Sequence, residues 1–232
     1  MGVCLLIHGF TGTPFEVEPL AKILHGKGYE VITPTLAGHG EDRQALERVT
    51  WQDWIHSVEH ILTETLKVHD KVHLVGFSMG GLIATYLAVK YRDRVESLTM
   101  MSTPIYTINP KQLFKTIAEA IQKSMRSGNR HEDIARYMAK AKGTPLRSLA
   151  HFRRLIQTVK PLVEQIEVPL LVVQGQCDDL VEPRSAEYIY ENAPCADKTL
   201  HFFEESKHII CHDCEAEQVT RMVAEFIERQ QT

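Results

Sequence analysis

No apolar run in this chain is long enough to cross a bilayer. The opening stretch, MGVCLLI, has no basic flank and its apolar run stops at His8, so it does not read as a secretory signal. Myristoylation would need Ser or Thr at position 6, where Leu6 stands. The expectation is a cytoplasmic protein. Cysteine is scarce too: five residues, an odd number, favour free thiols over a disulfide framework. Positive charge is not in excess. The formal net charge is −4 and no nucleic-acid-binding motif is present, which argues against a nucleic-acid partner. Internal repeats and low-complexity segments are absent. The stretch HIICHDC (His208 to Cys214) offers two His and two Cys, but no second pair has matching spacing, so these read as ordinary helix cysteines rather than a zinc site.

What is present is an ordinary globular composition, 44% apolar and 24% charged over 232 residues. That suits one domain, with room for an inserted subdomain. Six short apolar runs recur: Val3 to Ile7, Tyr29 to Thr33, Val72 to Val75, Val95 to Met101, Pro169 to Val173 and Thr199 to Phe203. Most lack strict alternation, as strands buried on both faces should. Helical patterns lie between them. Thr13-Pro14 opens one that stops near Gly28, and Thr50 with Asp53 opens the next. Others run over Ser78 to Tyr91, from Glu182-Pro183, and from about Cys211 to Arg229. The alternation implies a doubly wound, mostly parallel sheet of about six strands.

Residues 104–166 break the rhythm. They read as three helices, over 110–126, 131–142 and 145–159, with Leu113, Phe114, Ile117 and Ile121 as one apolar stripe. The expected division is a core of 1–103 with 167–232 and a helical cap of 104–166, placed where a lid would cover the carboxyl ends of the strands. The segment holds twelve Lys or Arg and four acids, so it carries +8 against −12 for the remainder. It reads either as a solvated face docked on an acidic body or as a face that makes transient contact with an anionic lipid surface.

Gly76-Phe77-Ser78-Met79-Gly80 is G-x-S-x-G, sitting behind an apolar run and opening a helix. That is the setting of a nucleophile elbow, in which a strained turn projects a serine hydroxyl above the sheet. Elsewhere the same letters are only a tight turn. Such a serine needs a base and an orienting acid, in the chain order Ser, then Asp or Glu, then His. Asp178 and Asp179 fall just past the fifth strand, and His208 just past the sixth. The Met79 N–H, after the serine, and the Phe10 N–H, in the loop HGFTGTP after the first strand, are the expected oxyanion donors. His8 reads as an organiser of that loop.

LLIHGFTGTP, AGHG (Ala37 to Gly40), GFSMGG, GQCD and SKHI, in that order, resemble the α/β-hydrolases, and most nearly the small bacterial carboxylesterases and monoacylglycerol lipases. The resemblance covers essentially the whole chain. It implies Ser78 as nucleophile, Asp178 as acid, His208 as base and Phe10 and Met79 as oxyanion donors. The cap would cover an acyl pocket beside Phe10; the stripe of Leu113, Phe114 and Ile117 faces either that pocket, as ligand sites are mostly apolar, or the body of the fold. It implies no metal or organic cofactor. Relatives usually carry two further strands before the HGF loop, so six strands are expected here rather than eight. The expected activity is a serine esterase acting on short-to-medium acyl esters, with monoacylglycerol lipase and thioesterase as variants. The non-enzyme alternative is a small-ligand receptor on the same fold. Oligomeric state is left open.

Overall fold

Strands rich in Val, Ile and Leu have to bury both faces, and the central ones do. The computed structural model describes residues 2–40, 43–106 and 145–230, with Arg43 described by its backbone alone. In it β1 (Val3–Ile7), β3 (Val72–Phe77) and β5 (Leu170–Gly175) are buried at every position. With β2 (Glu30–Ile32), β4 (Val95–Met101) and β6 (Lys198–Phe203) they form one sheet in the order β2-β1-β3-β4-β5-β6. Every pair is parallel. The described helices are α1 (Glu18–Gly26), α2 (Arg43–Arg48), α3 (Trp51–Thr65), α4 (Met79–Lys90), α5 (Leu146–Val159), α6 (Arg184–Asn192) and α7 (Ala216–Arg229).

Side chains alternate across a strand, and that alternation divides the core in two. Val3, Leu5 and Ile7 join one cluster with Leu74, Leu98 and Val172, under α3, α4, α5 and α6. Cys4 and Leu6 join the other with Val75, Met101 and Val173, under α1 and α7. The chain leaves β1 toward β2 on one side and returns to β3 on the other. The loops after β1 and β3 therefore part at the carboxyl edge, the place where such sheets bind ligands.

Local chemistry sets the helix ends. At α3 the Thr50 hydroxyl accepts the Asp53 N–H, and the Asp53 carboxylate accepts the Thr50 N–H at 2.8 Å, a reciprocal cap. The helix expected from Thr13-Pro14 begins instead as a 3-10 turn over Pro14–Val17, and Thr13 makes no side-chain cap bond. Pro19 has no N–H to give the Phe15 carbonyl, which accepts from Glu18 N–H and from His212 Nε2 instead. The last helix starts later than expected. Ile210–His212 is a separate 3-10 turn, and α7 begins at Ala216. The reason is that the Asp213 carboxylate is engaged backwards, by the Lys207 N–H at 2.7 Å, and forwards, by the Cys214 N–H at 2.9 Å. The short helix α2 was not expected; among its residues 44–48 only Leu46 is buried, too little for a periodic signal.

Of the inserted stretch, the first two expected helices and Leu113, Phe114, Ile117 and Ile121 lie outside the described residues. The third is α5. Leu149, Phe152, Leu155, Ile156 and Val159 sink into the cluster shared with α3 and α4, while Arg147, Arg153 and Arg154 face solvent. Among the described residues no helix is long and apolar enough to cross a membrane.

Candidate active site

Ser78 has φ 53° and ψ −119°, a backbone conformation that L-residues rarely adopt. It is held there by a Ser78 N–H bond to the Met101 carbonyl (2.8 Å) and by the crowding of α4 against the sheet. The flanking glycines are required by that crowding. A Cβ at Gly76 would overlap the Gly80 carbonyl, and one at Gly80 would overlap the Ile7 carbonyl. The β1 loop also lies against the serine, since a Cβ on Gly9 would stand 3.2 Å from Ser78 Cβ.

His208 Nε2 is 3.1 Å from Ser78 Oγ, and His208 Nδ1 is 2.8 Å from Asp178 Oδ2. All three residues are buried. Asp178 is further fixed by the N–H groups of Leu180 and Val181, both 2.9 Å from Oδ1, and by Gln174 Nε2, 2.8 Å from Oδ2. Burial disfavours the imidazolium of His208, but the adjacent Asp178 carboxylate and its hydrogen bond outweigh that. The His208 pKa is accordingly raised above its ordinary value. The loop that carries His208 is tied down by two acids of the following turn. Glu215 Oε2 accepts from the Ser206 hydroxyl (2.6 Å) and the Glu205 N–H (3.0 Å), and Asp213 accepts from Lys207 N–H. Asp179 makes no bond to His208.

The oxyanion candidates lie in the two loops that part at the switch between β1 and β3. Met79 is the first residue of α4, where N–H groups point out of the helix with its positive end. Among the described residues neither the Met79 N–H nor the Phe10 N–H has an acceptor in the surrounding loops. His8 orders this region. Its Nε2 accepts the Leu36 N–H (3.1 Å) and its Nδ1 donates to the Gly9 carbonyl (2.9 Å), so the ring is the neutral Nδ1–H tautomer. Burial first, with nearby His39, pushes its pKa down to about 3. The Phe10 ring stacks on Phe152 of α5 at 4.9 Å and lies 5.6 Å from Trp54, both buried. It forms an aromatic wall beneath the loop.

Sequence reasoning missed Glu16 and Gln174. Glu16 and Gln174 fall in none of the motifs or apolar runs picked out in the sequence. Each acts through a bond that the fold creates, Glu16 to Gly9 and Gln174 to Asp178. In HIICHDC, His212 donates from Nε2 to the Phe15 carbonyl and stacks on the Phe15 ring at 4.3 Å. None of the five cysteines is in a disulfide. Among the described residues no group of three His, Cys, Asp or Glu is placed to hold a metal ion.

A buried serine at a strained strand-to-helix corner, in line with a histidine and a carboxylate on successive strand ends, defines an α/β-hydrolase site. The family profile described as serine aminopeptidase, S33, matches residues 1–215, and the chain belongs to that family of serine hydrolases. Among its relatives is a carboxylesterase of Bacillus subtilis (strain 168), 29% identical over 97% of this chain and 92% of its own length. A thermostable monoacylglycerol lipase of Bacillus sp. (strain H-257) is 29% identical over 96% of this chain and 88% of its own length. Solved structures share the fold. One belongs to the metagenome-derived lipolytic enzymes LipS and LipT, with TM-score 0.81 and 22% identity over 98% of this chain and 93% of that one. The monoacylglycerol lipase of Paleococcus ferrophilus has TM-score 0.75 and 20% identity over 99% and 95%.

Proposed function

We propose that this protein is a serine esterase that hydrolyses carboxylic esters of short-to-medium acyl chains through an acyl-enzyme. Ser78 Oγ attacks the ester carbonyl carbon while His208 Nε2 takes its proton. Asp178 holds Nδ1–H and stabilises the imidazolium. The carbonyl oxygen, now anionic, is met by the N–H groups of Met79 and Phe10. The C–O bond then breaks, His208 returns the proton to the departing alkoxide, and the alcohol leaves. Water, deprotonated by the same imidazole, attacks the acyl-serine and releases the acid and Ser78. The observation that carries this reading is the unbroken hydrogen-bonded line from Ser78 through His208 to Asp178, at 3.1 and 2.8 Å.

The carboxylesterase and monoacylglycerol lipase names of the relatives support ester substrates, with monoacylglycerol as the lipid variant. The aligned relay weighs against a mere small-ligand receptor. Cap residues Leu113, Phe114 and Ile117 belong to the proposed acyl site. Lys111, Lys115 and Lys123 belong to a proposed transient contact with an anionic lipid surface; all six lie outside the described residues. The reading as a cytoplasmic enzyme rests on sequence alone.

The test is a series of p-nitrophenyl esters from acetate to palmitate, run beside aminoacyl p-nitroanilides. kcat/KM should peak between the short and medium chains, with negligible release from the anilides. A maximum at palmitate would move the reading to long-chain lipids, and faster anilide cleavage would replace it with a peptidase.

A further inference from the structure

One acid beside the site comes from neither of the strand ends that supply Asp178 and His208. Glu16 lies in the turn Pro14–Val17, only 3% exposed. Its Oε2 accepts the Gly9 N–H at 2.8 Å. The HGFTG loop closes round this carboxylate. A Cβ on Gly9 would come within 3.2 Å of Oε2, and one on Gly12 would overlap the carboxylate itself. The peptide that follows Gly9 carries the Phe10 N–H. With the Gly9 N–H taken by Glu16, Phe10 is the donor of this loop nearest in sequence to the serine-facing glycine.

The charge has a second neighbour. The ionisable groups that act on His208 are Asp178 and Asp179 from the loop after β5 and Glu16 from the turn after β1. β3 and the elbow contribute only the Phe77 ring, 5.1 Å away, and the Ser78 hydroxyl. Asp178 acts through a hydrogen bond and Glu16 through space. A buried carboxylate is costly to keep, and glutamine could accept the same N–H without that cost.

We propose that Glu16 is a positioning residue for the reaction: its carboxylate pins the His8–Gly9 peptide, next to the peptide that carries the Phe10 N–H, so that this N–H faces the developing oxyanion, and its charge supports His208 while that ring carries the serine proton. This rests on the esterase reading of Ser78 and His208. Two separable effects follow. Losing the anchor should slow turnover without weakening ground-state binding, because the oxyanion exists only in the transition state. Losing the charge alone should let His208 release its proton more readily.

The experiment measures kcat and KM against pH with p-nitrophenyl butyrate for wild type, Glu16→Ala, Glu16→Gln and Ser78→Ala, with a thermal melt of each. Glu16→Ala should lose roughly ten- to a hundredfold in kcat, less than deleting an oxyanion donor outright, with KM within about threefold. Glu16→Gln should regain part of that kcat, and the acid limb of its kcat/KM profile should move to lower pH. Wild-type kcat in Glu16→Ala with only a lowered melting temperature would overturn the proposal. So would a Glu16→Gln limb that coincides with that of wild type; this limb decides the matter if Glu16→Ala does not fold. An inactive Ser78→Ala beside wild-type-like Glu16 variants sinks this inference alone, whereas an active Ser78→Ala sinks the esterase reading with it.

Discussion

Asp178 and Asp179 have the same chemistry and opposite surroundings. Asp178 is buried under four donors, the N–H groups of Leu180 and Val181, Gln174 Nε2 and His208 Nδ1. Asp179 is half-buried, and its Oδ1 meets none of them. Asp178→Asn would offer His208 a donor where it needs an acceptor and so favour the wrong tautomer. On the triad account kcat falls on the order of 10⁴-fold, while Asp179→Asn loses less than about tenfold, both followed with p-nitrophenyl butyrate. The reverse ranking would place the acid one residue on. The pH dependence has a fixed sign. The His208 pKa is raised, and the base works only when neutral, so activity should climb through a pH above the ordinary histidine value of 6.5. Ser78 and His208 could be named from a motif and an order of residues. Choosing between the aspartates took the resemblance carried by GQCD, and Glu16 and Gln174 were illegible because their bonds, to Gly9 and to Asp178, are closed by loop turns that no motif or period announces.

At the scale of elements, β1 and β4 have the limits that their apolar runs suggest, and the other four strands differ from theirs by one or two residues at an end. Uniform burial makes such runs plain. Where legibility failed, a local backbone or side-chain effect won. Pro19 broke the first turn of the first helix, and Asp213 delayed the last one. The α4–β1 contact makes the most exacting demand on a single element. A Cβ at Gly80 would strike backbone carbonyls of Ile7 and His8, which a central strand cannot move aside. Gly80→Ala should cost about 3 kcal/mol or more in urea unfolding. Gly26→Ala, with nothing near its Cβ, should stay within about 1 kcal/mol of wild type. Equal midpoints for the two variants would show that the elbow is looser than described.

Across the whole molecule, strand order is what turns separate residues into a site. Because β1 and β3 are neighbours with their connections on opposite sides, Phe10 and Met79 meet at one edge. β5 and β6 then bring Asp178 and His208 to that same edge, 100 and 130 residues after Ser78. This much follows from alternating strands and helices with right-handed crossovers. The covering of the site was less legible. The first two helices expected of the cap lie outside the described residues, and its final helix, α5, packs into the main core through Phe152 and Leu155. The central claim is that one hydroxyl on this frame, that of Ser78, is the nucleophile. Its most direct test is labelling with a fluorophosphonate, located by mass spectrometry of the digested protein, with ester hydrolysis followed in parallel. The account predicts one adduct per chain, on the peptide containing Ser78, with activity lost as the adduct forms and no labelling of Ser78→Ala. An adduct on another residue, or full hydrolysis by Ser78→Ala, would contradict it.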